Sequence, residues 1–326
     1  MRDHGVFEPG DLSGLDFQTW LAQIDDAASD DVFVDYLGPK HATVLWEQSK
    51  TLIVTFEHHS DLSAYSSGVP IGWQLAQEKG WSHLCVVSEH QDWFRDPHVI
   101  RHFDRLIDDG FLDQFDDVIF YGCYAGGYAA AAYSVSYPMA TVIAINPQAT
   151  LNPSIASWDK RFKHTRRQDF TTRFGYAQKM CESAKNVFVF YNADSPENAM
   201  HAALFQGDNV THLRSLVKSV DPAEFFQATR FLPAIAALTS DKPSREFYKL
   251  QRARRDMLRH LRSLLGRALA RPGPLLTKLV CQHTLRLHPT APQICCSTAA
   301  GGTNGGRIIP SNWTRNLRVF CVTAGT

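Results

Sequence analysis

The chain has 326 residues, 44% of them hydrophobic, with 33 basic and 33 acidic side chains. That composition suits one large globular domain plus an appendage and excludes a disordered or collagen-like chain. Charge is unevenly spread: residues 1–120 hold 22 Asp or Glu against 7 Lys or Arg, whereas residues 241–290 hold 12 basic against 3 acidic. A basic segment docked on an acidic domain or simply solvated accounts for this; nucleic acid or anionic membrane at the basic end is the less favoured alternative.

No run of 18 apolar residues occurs, and MRDHGVFEPGD lacks the positive start and apolar core of a signal peptide, so a cytoplasmic protein is expected. Seven scattered cysteines suit reduced thiols rather than a disulfide framework. Cys295 and Cys296 are adjacent without a C-x-x-C pair, and no metal or cofactor is expected.

Apolar runs alternate with helical patterns along the chain, which predicts a mostly parallel sheet with helices on both faces. Thr51–Phe56 reads as a buried strand, followed by a polar turn from Glu57 through His58 and His59 to Asp61. His83–Ser88 reads as a second strand, and Asp96–Gly110 as a helix with Val99, Ile100, Phe103, Leu106 and Ile107 at helical spacing. Asp117–Tyr121, Thr141–Asn146 and Asn186–Tyr191 read as further strands, with 210–216 as an edge strand. This domain is assigned to residues 1–240. Residues 241–293 read as two or three basic amphipathic helices broken around Pro272-Gly273-Pro274, and 294–326, rich in Gly, Ser, Thr and Asn, as a disordered tail.

The most informative segment is DVIFYGCYAGGYAAAAYSV, residues 117–135: a strand, a Gly-rich turn and an Ala-rich helix. In the pattern G-x-S-x-G the central Ser sits on a strained turn above the sheet, with the next residue's N–H aimed at an oxyanion. Gly122 and Gly126 take the glycine positions, so Tyr124 stands in place of the nucleophile, Cys123 precedes it, and Ala125 supplies the oxyanion N–H.

Together with TLIVTFE, GWSHLCVVSE, DWFRDP, ATVIAINPQATL and NAMHAALFQGDNVTHLR, this segment resembles a group of bacterial proteins of the α/β-hydrolase type. The resemblance covers roughly residues 10–290, and members in alphaproteobacterial genomes carry the name phosphoadenosine phosphosulfate reductase. A reductase of that kind needs a phosphate-cradling S-G-G-x-D-S loop and a C-terminal E-C-G-x-H setting, and neither string is present. The company this group keeps implies a small-molecule ligand of carbohydrate or cell-surface pathways. The sequence sets no oligomeric state.

Hydrolase chemistry needs a nucleophile, a base and an orienting acid. Asp194, after the strand 186–191, occupies the usual place of the acid, or is an ordinary turn residue before Pro196. The segment VKSVDPAEFF beyond the edge strand contains no His, which leaves His201 and His212 as the nearest imidazoles. Tyr124, with a phenol pKa near ~10, needs a strong neighbouring base or cation to ionise. Cys123 is expected to point away from the tip of the turn. His58 and His59, after the first strong strand, are expected to line a pocket or cap the turn, and Trp93 and Arg95 to hold an anionic or sugar ligand at that pocket unless packing of the next helix takes one of them. His98 and His102 are spaced for one metal on a helix face but lack a third ligand.

Two readings follow, with the reductase that the group's name implies as a third behind them. The favoured one is an α/β-hydrolase-fold protein without hydrolase chemistry, a binding or accessory module with its pocket above Tyr124. The other is an active ester or thioester hydrolase or acyltransferase that uses Cys123 or Tyr124 with Asp194 and His201.

Overall fold

The computed structural model describes residues 7, 9–28, 30–62, 67–216, 231–270 and 274–288. The predicted tail, 294–326, and the segment 217–226 lie outside the described residues. Contacts divide the chain into two compact units. The first holds 1–215 and 222–244, and the second holds 216–221 and 245–326.

In the first unit the elements run α1 (Phe17–Asp26), β1 (Val32–Tyr36), β2 (His41–Trp46), β3 (Thr51–His58), α2 (His59–Leu62), α3 (Trp73–Lys79), β4 (Ser82–Ser88) and α4 (Pro97–Asp108). They continue with β5 (Asp117–Cys123), α5 (Ala125–Tyr133), β6 (Thr141–Ile145), α6 (Pro153–Ala156), α7 (Ala177–Met180), β7 (Asn186–Tyr191), α8 (Pro196–Leu204), β8 (Val210–Arg214) and α9 (Phe231–Leu238).

All eight strands form one sheet in the order β1-β2-β4-β3-β5-β6-β7-β8. β1 pairs antiparallel with β2 and β2 antiparallel with β4, and every other pairing is parallel. The predicted strands are the parallel ones; the structure adds the β1–β2 hairpin ahead of them. It also corrects the first predicted turn. β3 runs on to His58, so Glu57 is a buried strand residue rather than part of a polar loop.

Period-two alternation sorts the strand side chains onto two faces. Leu52, Val54 and Phe56 of β3 and Leu84 and Val86 of β4 join α4 and α5 in one core. Phe56 lies 5.7 Å from Phe103, which stacks on Tyr133 at 4.2 Å; such aromatic pairs add about 0.5–1.5 kcal/mol each beyond burial. Cys85 and Val87 face the other core, with Trp20 of α1, Trp46 of β2, Trp73 of α3 and Phe7. Every residue of α5 is buried, so this helix carries glycine and alanine where a surface helix would carry a polar stripe. α4 starts where its sequence says it should: Asp96 accepts from the His98 N–H as N-cap, and Pro97 fills the first helical position.

The second unit contains α11 (Leu258–Leu269) and α12 (Pro274–Leu287), which share a small core of Leu265, Val280 and Cys281. They are preceded by α10 (Pro243–Leu250), which begins at the boundary between the units. Among the described residues no helix is long and apolar enough to cross a membrane.

Candidate functional site

β5 ends at Cys123 and α5 begins at Ala125, so the whole change of direction falls on Tyr124, with φ 53° and ψ −115°. Such a conformation costs a non-glycine residue on the order of 1–3 kcal/mol and is held only where the surroundings over-determine it. Here the Tyr124 N–H donates to the Ile145 carbonyl at 2.8 Å, and its own carbonyl accepts the Tyr128 N–H at 2.9 Å. The flanking glycines are dictated by contact: a Cβ on Gly122 would lie 2.1 Å from the Gly126 carbonyl oxygen, and one on Gly126 2.3 Å from that of Phe56. Ala125 is buried as the first residue of α5, where an N–H has no partner within its own helix.

Strain is concentrated around this turn. Of the six non-glycine residues with positive φ among the described residues, Trp93, Phe94, Tyr124 and Asn146 follow the C-terminal ends of β4, β5 and β6. Ligands of open α/β sheets bind at that edge. Trp93 Nε1 donates to Gln148 Oε1 at 3.2 Å, and the Phe94 carbonyl accepts the Tyr133 hydroxyl at 2.6 Å. Asn146 Oδ1 accepts the Asn192 N–H at 2.9 Å, while its Nδ2 is buried without a hydrogen-bond partner among the described residues.

His58 closes β3 at this same edge. The residue is 6% exposed and its ring stacks on Phe94 at 5.1 Å. Burial lowers its pKa against the pull of Asp61 and Asp92, which favours a neutral imidazole. The β3–β5 ladder ends with Phe56 paired to Gly122, two residues before His58 on one strand and two before Tyr124 on the other. His59, its predicted companion, goes elsewhere: its ring meets Phe17 and Trp20 of the opposite core, at 5.6 and 6.0 Å.

The other predicted groups separate too. Cys123 shares a strand face with Tyr121, whose hydroxyl lies 3.4 Å from its sulfur. That face is opposite to Phe120 and the α5 core, so the thiol is not at the tip of the turn. Asp194 is exposed in the turn before α8, its N–H donating to Asn192 Oδ1, and the helix cap is Ser195.

His201 does meet an acid, and it is Asp159. Nε2 lies 3.0 Å from Asp159 Oδ2, and Nδ1 accepts the Ala149 N–H at 3.3 Å; both side chains of the pair are 0% exposed. Arg161 binds the same carboxylate through Nε and an NH2 group and reaches Asn198 Oδ1 at 2.7 Å. Burial pulls the His201 pKa down to about 4, because the arginine already balances the acid and a second buried cation is unfavourable. Burial pushes the Asp159 pKa up, but the hydrogen bonds and charge of Arg161 outweigh it and hold the carboxyl low. The pairing joins residues 42 apart through the β6–β7 excursion, and no local motif announces it. Asn146, also missed, had only its place at a strand end as a signal.

Arg95 is spent inside the fold, on the carbonyls of Asp169 and Arg173 at 2.9 and 2.7 Å and on Thr172 Oγ1 at 3.2 Å. His98 Nδ1 rests on Asp96 at 2.8 Å, whereas His102 is buried with Nδ1 3.1 Å from the Arg105 guanidinium, so the pair does not converge. His212 Nε2 meets the Phe205 carbonyl at 3.0 Å. Among the described residues two clusters bring metal-ligating atoms within 4.8 Å of one another: His41, Asp92 and Asp96, and Glu57, His83 and Cys85. In the first the carboxylates are engaged as caps, Asp92 on the Phe94 N–H and Asp96 on that of His98.

A sheet of this strand order, with a glycine-flanked strained turn between β5 and a buried helix, defines the α/β-hydrolase fold. No family model matches the chain, and no curated protein matches it in sequence. Among solved structures it is similar to a carboxyl esterase of the fungus Tuber melanosporum, at 12% identity over 75% of this chain and 90% of that one, with a TM-score of 0.41. It is also similar to a putative thioesterase of a Silicibacter species (16%, 60% and 80%, 0.40) and to the capsule O-acetyltransferase of Neisseria meningitidis serogroup A (12%, 57% and 86%, 0.36).

Proposed function

We propose that this protein is a binding or accessory module built on the α/β-hydrolase fold, in which the elbow no longer carries out acyl transfer. The observation that carries this reading is the state of His201. An imidazole has two nitrogens, and both are committed, one to Asp159 and one to the Ala149 N–H, which leaves none to take a nucleophile's proton. A tyrosine at the elbow points the same way, since a bulky ring there would compete with an acyl group for space beside the oxyanion donors. Asn146 Nδ2 offers a buried donor without a partner among the described residues, suited to an oxygen-bearing small molecule.

The retained strain at Tyr124 favours a second reading, an ester or thioester hydrolase or acyltransferase acting through Tyr124 or Cys123 with Asp194. Labelling the purified chain with fluorophosphonate and iodoacetamide probes, followed by peptide mass spectrometry, separates the two. The binding module gives no stoichiometric adduct at Tyr124. Stoichiometric labelling of Tyr124 or Cys123 that is lost in Asp194→Asn establishes the catalytic reading instead.

A further inference from the structure

Within the sheet, an acid, an imidazole and a thiol from two neighbouring strands meet on one buried face. The parallel β3–β4 register pairs Ile53 with His83 and Thr55 with Cys85, so alternation places Thr55, Glu57, His83 and Cys85 on the side of the Trp46–Trp73 core. All four are buried. Cys85 Sγ lies 3.7 Å from Glu57 Oε1, and Thr55 Oγ1 is 2.9 Å from both Glu57 Oε1 and His83 Nε2. The chain closes over the group at Gly72, where a Cβ would lie 2.4 Å from His83 Nε2, and the Ile71 N–H donates to both Glu57 oxygens at 3.2 Å.

We propose that Glu57, His83 and Cys85 form a zinc site inside the sheet. Among the described residues the partners of Glu57 are a hydroxyl, a thiol and a backbone N–H, and none of them is a cation. A carboxylate held in that way in an aromatic core is costly to bury. One divalent ion bound by a carboxylate, a thiolate and a neutral imidazole makes the group neutral, and the thiol proton leaves to solvent as the ion enters. Tetrahedral zinc, with bonds of about 2.0 Å to O and N and 2.3 Å to S, sets its ligand atoms about 3.3–3.6 Å apart. The sulfur–carboxylate separation already stands at 3.7 Å, and all three ligand atoms lie within 4.8 Å of one another. The thiolate disfavours magnesium and calcium, and the mixed O, N and S donors suit zinc. Thr55, hydrogen-bonded to two of the three, holds them in place as an outer partner.

The test uses the full chain, purified without chelator, supplied with excess zinc and desalted. Metal analysis is expected to give near-stoichiometric zinc in the wild type and a loss of about tenfold or more in Cys85→Ser and Glu57→Gln, with folding checked by circular dichroism. Cobalt(II) exchanged into the wild type is expected to show a thiolate-to-cobalt charge-transfer band, a readout that does not depend on any variant folding. A wild type without bound zinc and without that band overturns the proposal, as does zinc that persists in a folded Cys85→Ser chain. In either case the cluster is a hydrogen-bond network that pins Ile71 to β3.

Discussion

His201 shows how a single side chain's surroundings set its chemistry. It has the residue type of a catalytic base, yet it sits with Asp159 and Arg161 in a closed charge group. Its pKa of about 4 in the fold lies below the ordinary 6.5, so between these values the unfolded chain takes up a proton that the folded chain refuses. Stability from this residue is therefore intact above pH 7 and falls as pH drops from about 6.5 to about 4, by on the order of 3 kcal/mol in all. His58, His83 and His102 shift in the same direction, so the contribution is read by difference. Urea midpoints measured from pH 7.5 down to 4.5 should show a shallower pH slope for His201→Gln than for wild type; equal slopes would remove His201 as the source.

At the scale of elements, the turn from β5 to α5 is governed by backbone approach. Gly126→Ala drives a methyl group into the Phe56 carbonyl, which lies 2.3 Å from the ideal Cβ and belongs to a central strand that cannot yield. A loss on the order of 3 kcal/mol is expected, seen as a lowered midpoint in thermal unfolding. Gly266, exposed in the middle of α11, has nothing within 4 Å of its Cβ position. Gly266→Ala should stabilise that helix by about 1 kcal/mol, because alanine lowers the entropy cost of helix formation there without meeting a neighbour. Opposite signs for two formally identical substitutions are the expected result; a neutral Gly126→Ala would mean that the helix can move off the sheet.

Across the whole first unit, Arg95 does the work of a strut. From the loop after β4 it reaches across to residues 169–173 in the β6–β7 excursion and satisfies two carbonyls and a hydroxyl. Arg95→Ala leaves those acceptors without their donor and should cost on the order of 3 kcal/mol. The loss should also raise amide hydrogen exchange in residues 169–175 more than in the distant strands β1 and β2; uniform protection would show that the excursion is held by other contacts. The acidic first part of the chain and the basic segment fall in two compact units, and among the described residues of the second, Leu265, Val280 and Cys281 form a small cluster with Leu264 and Leu269 packed against it.

By itself the sequence determined what depends on near neighbours. The five buried strands were legible because period-two and continuous apolar runs report burial directly, the Asp96-Pro97 start of α4 because capping is local, and the elbow because glycine spacing is. The place of Tyr124 between Gly122 and Gly126 was visible in the string, and its strained backbone follows from the turn. Tertiary structure alone decided which groups meet. It sent the adjacent His58 and His59 to opposite cores, gave His201 to Asp159 rather than Asp194, committed Arg95 to carbonyls, and gathered Glu57, His83 and Cys85 onto one face. Each of these is a contact between segments distant in sequence or a choice of side-chain direction at a strand end. Neither leaves a periodic trace in the chain, because the partner is fixed by strand register and loop path, which form only when the sheet does.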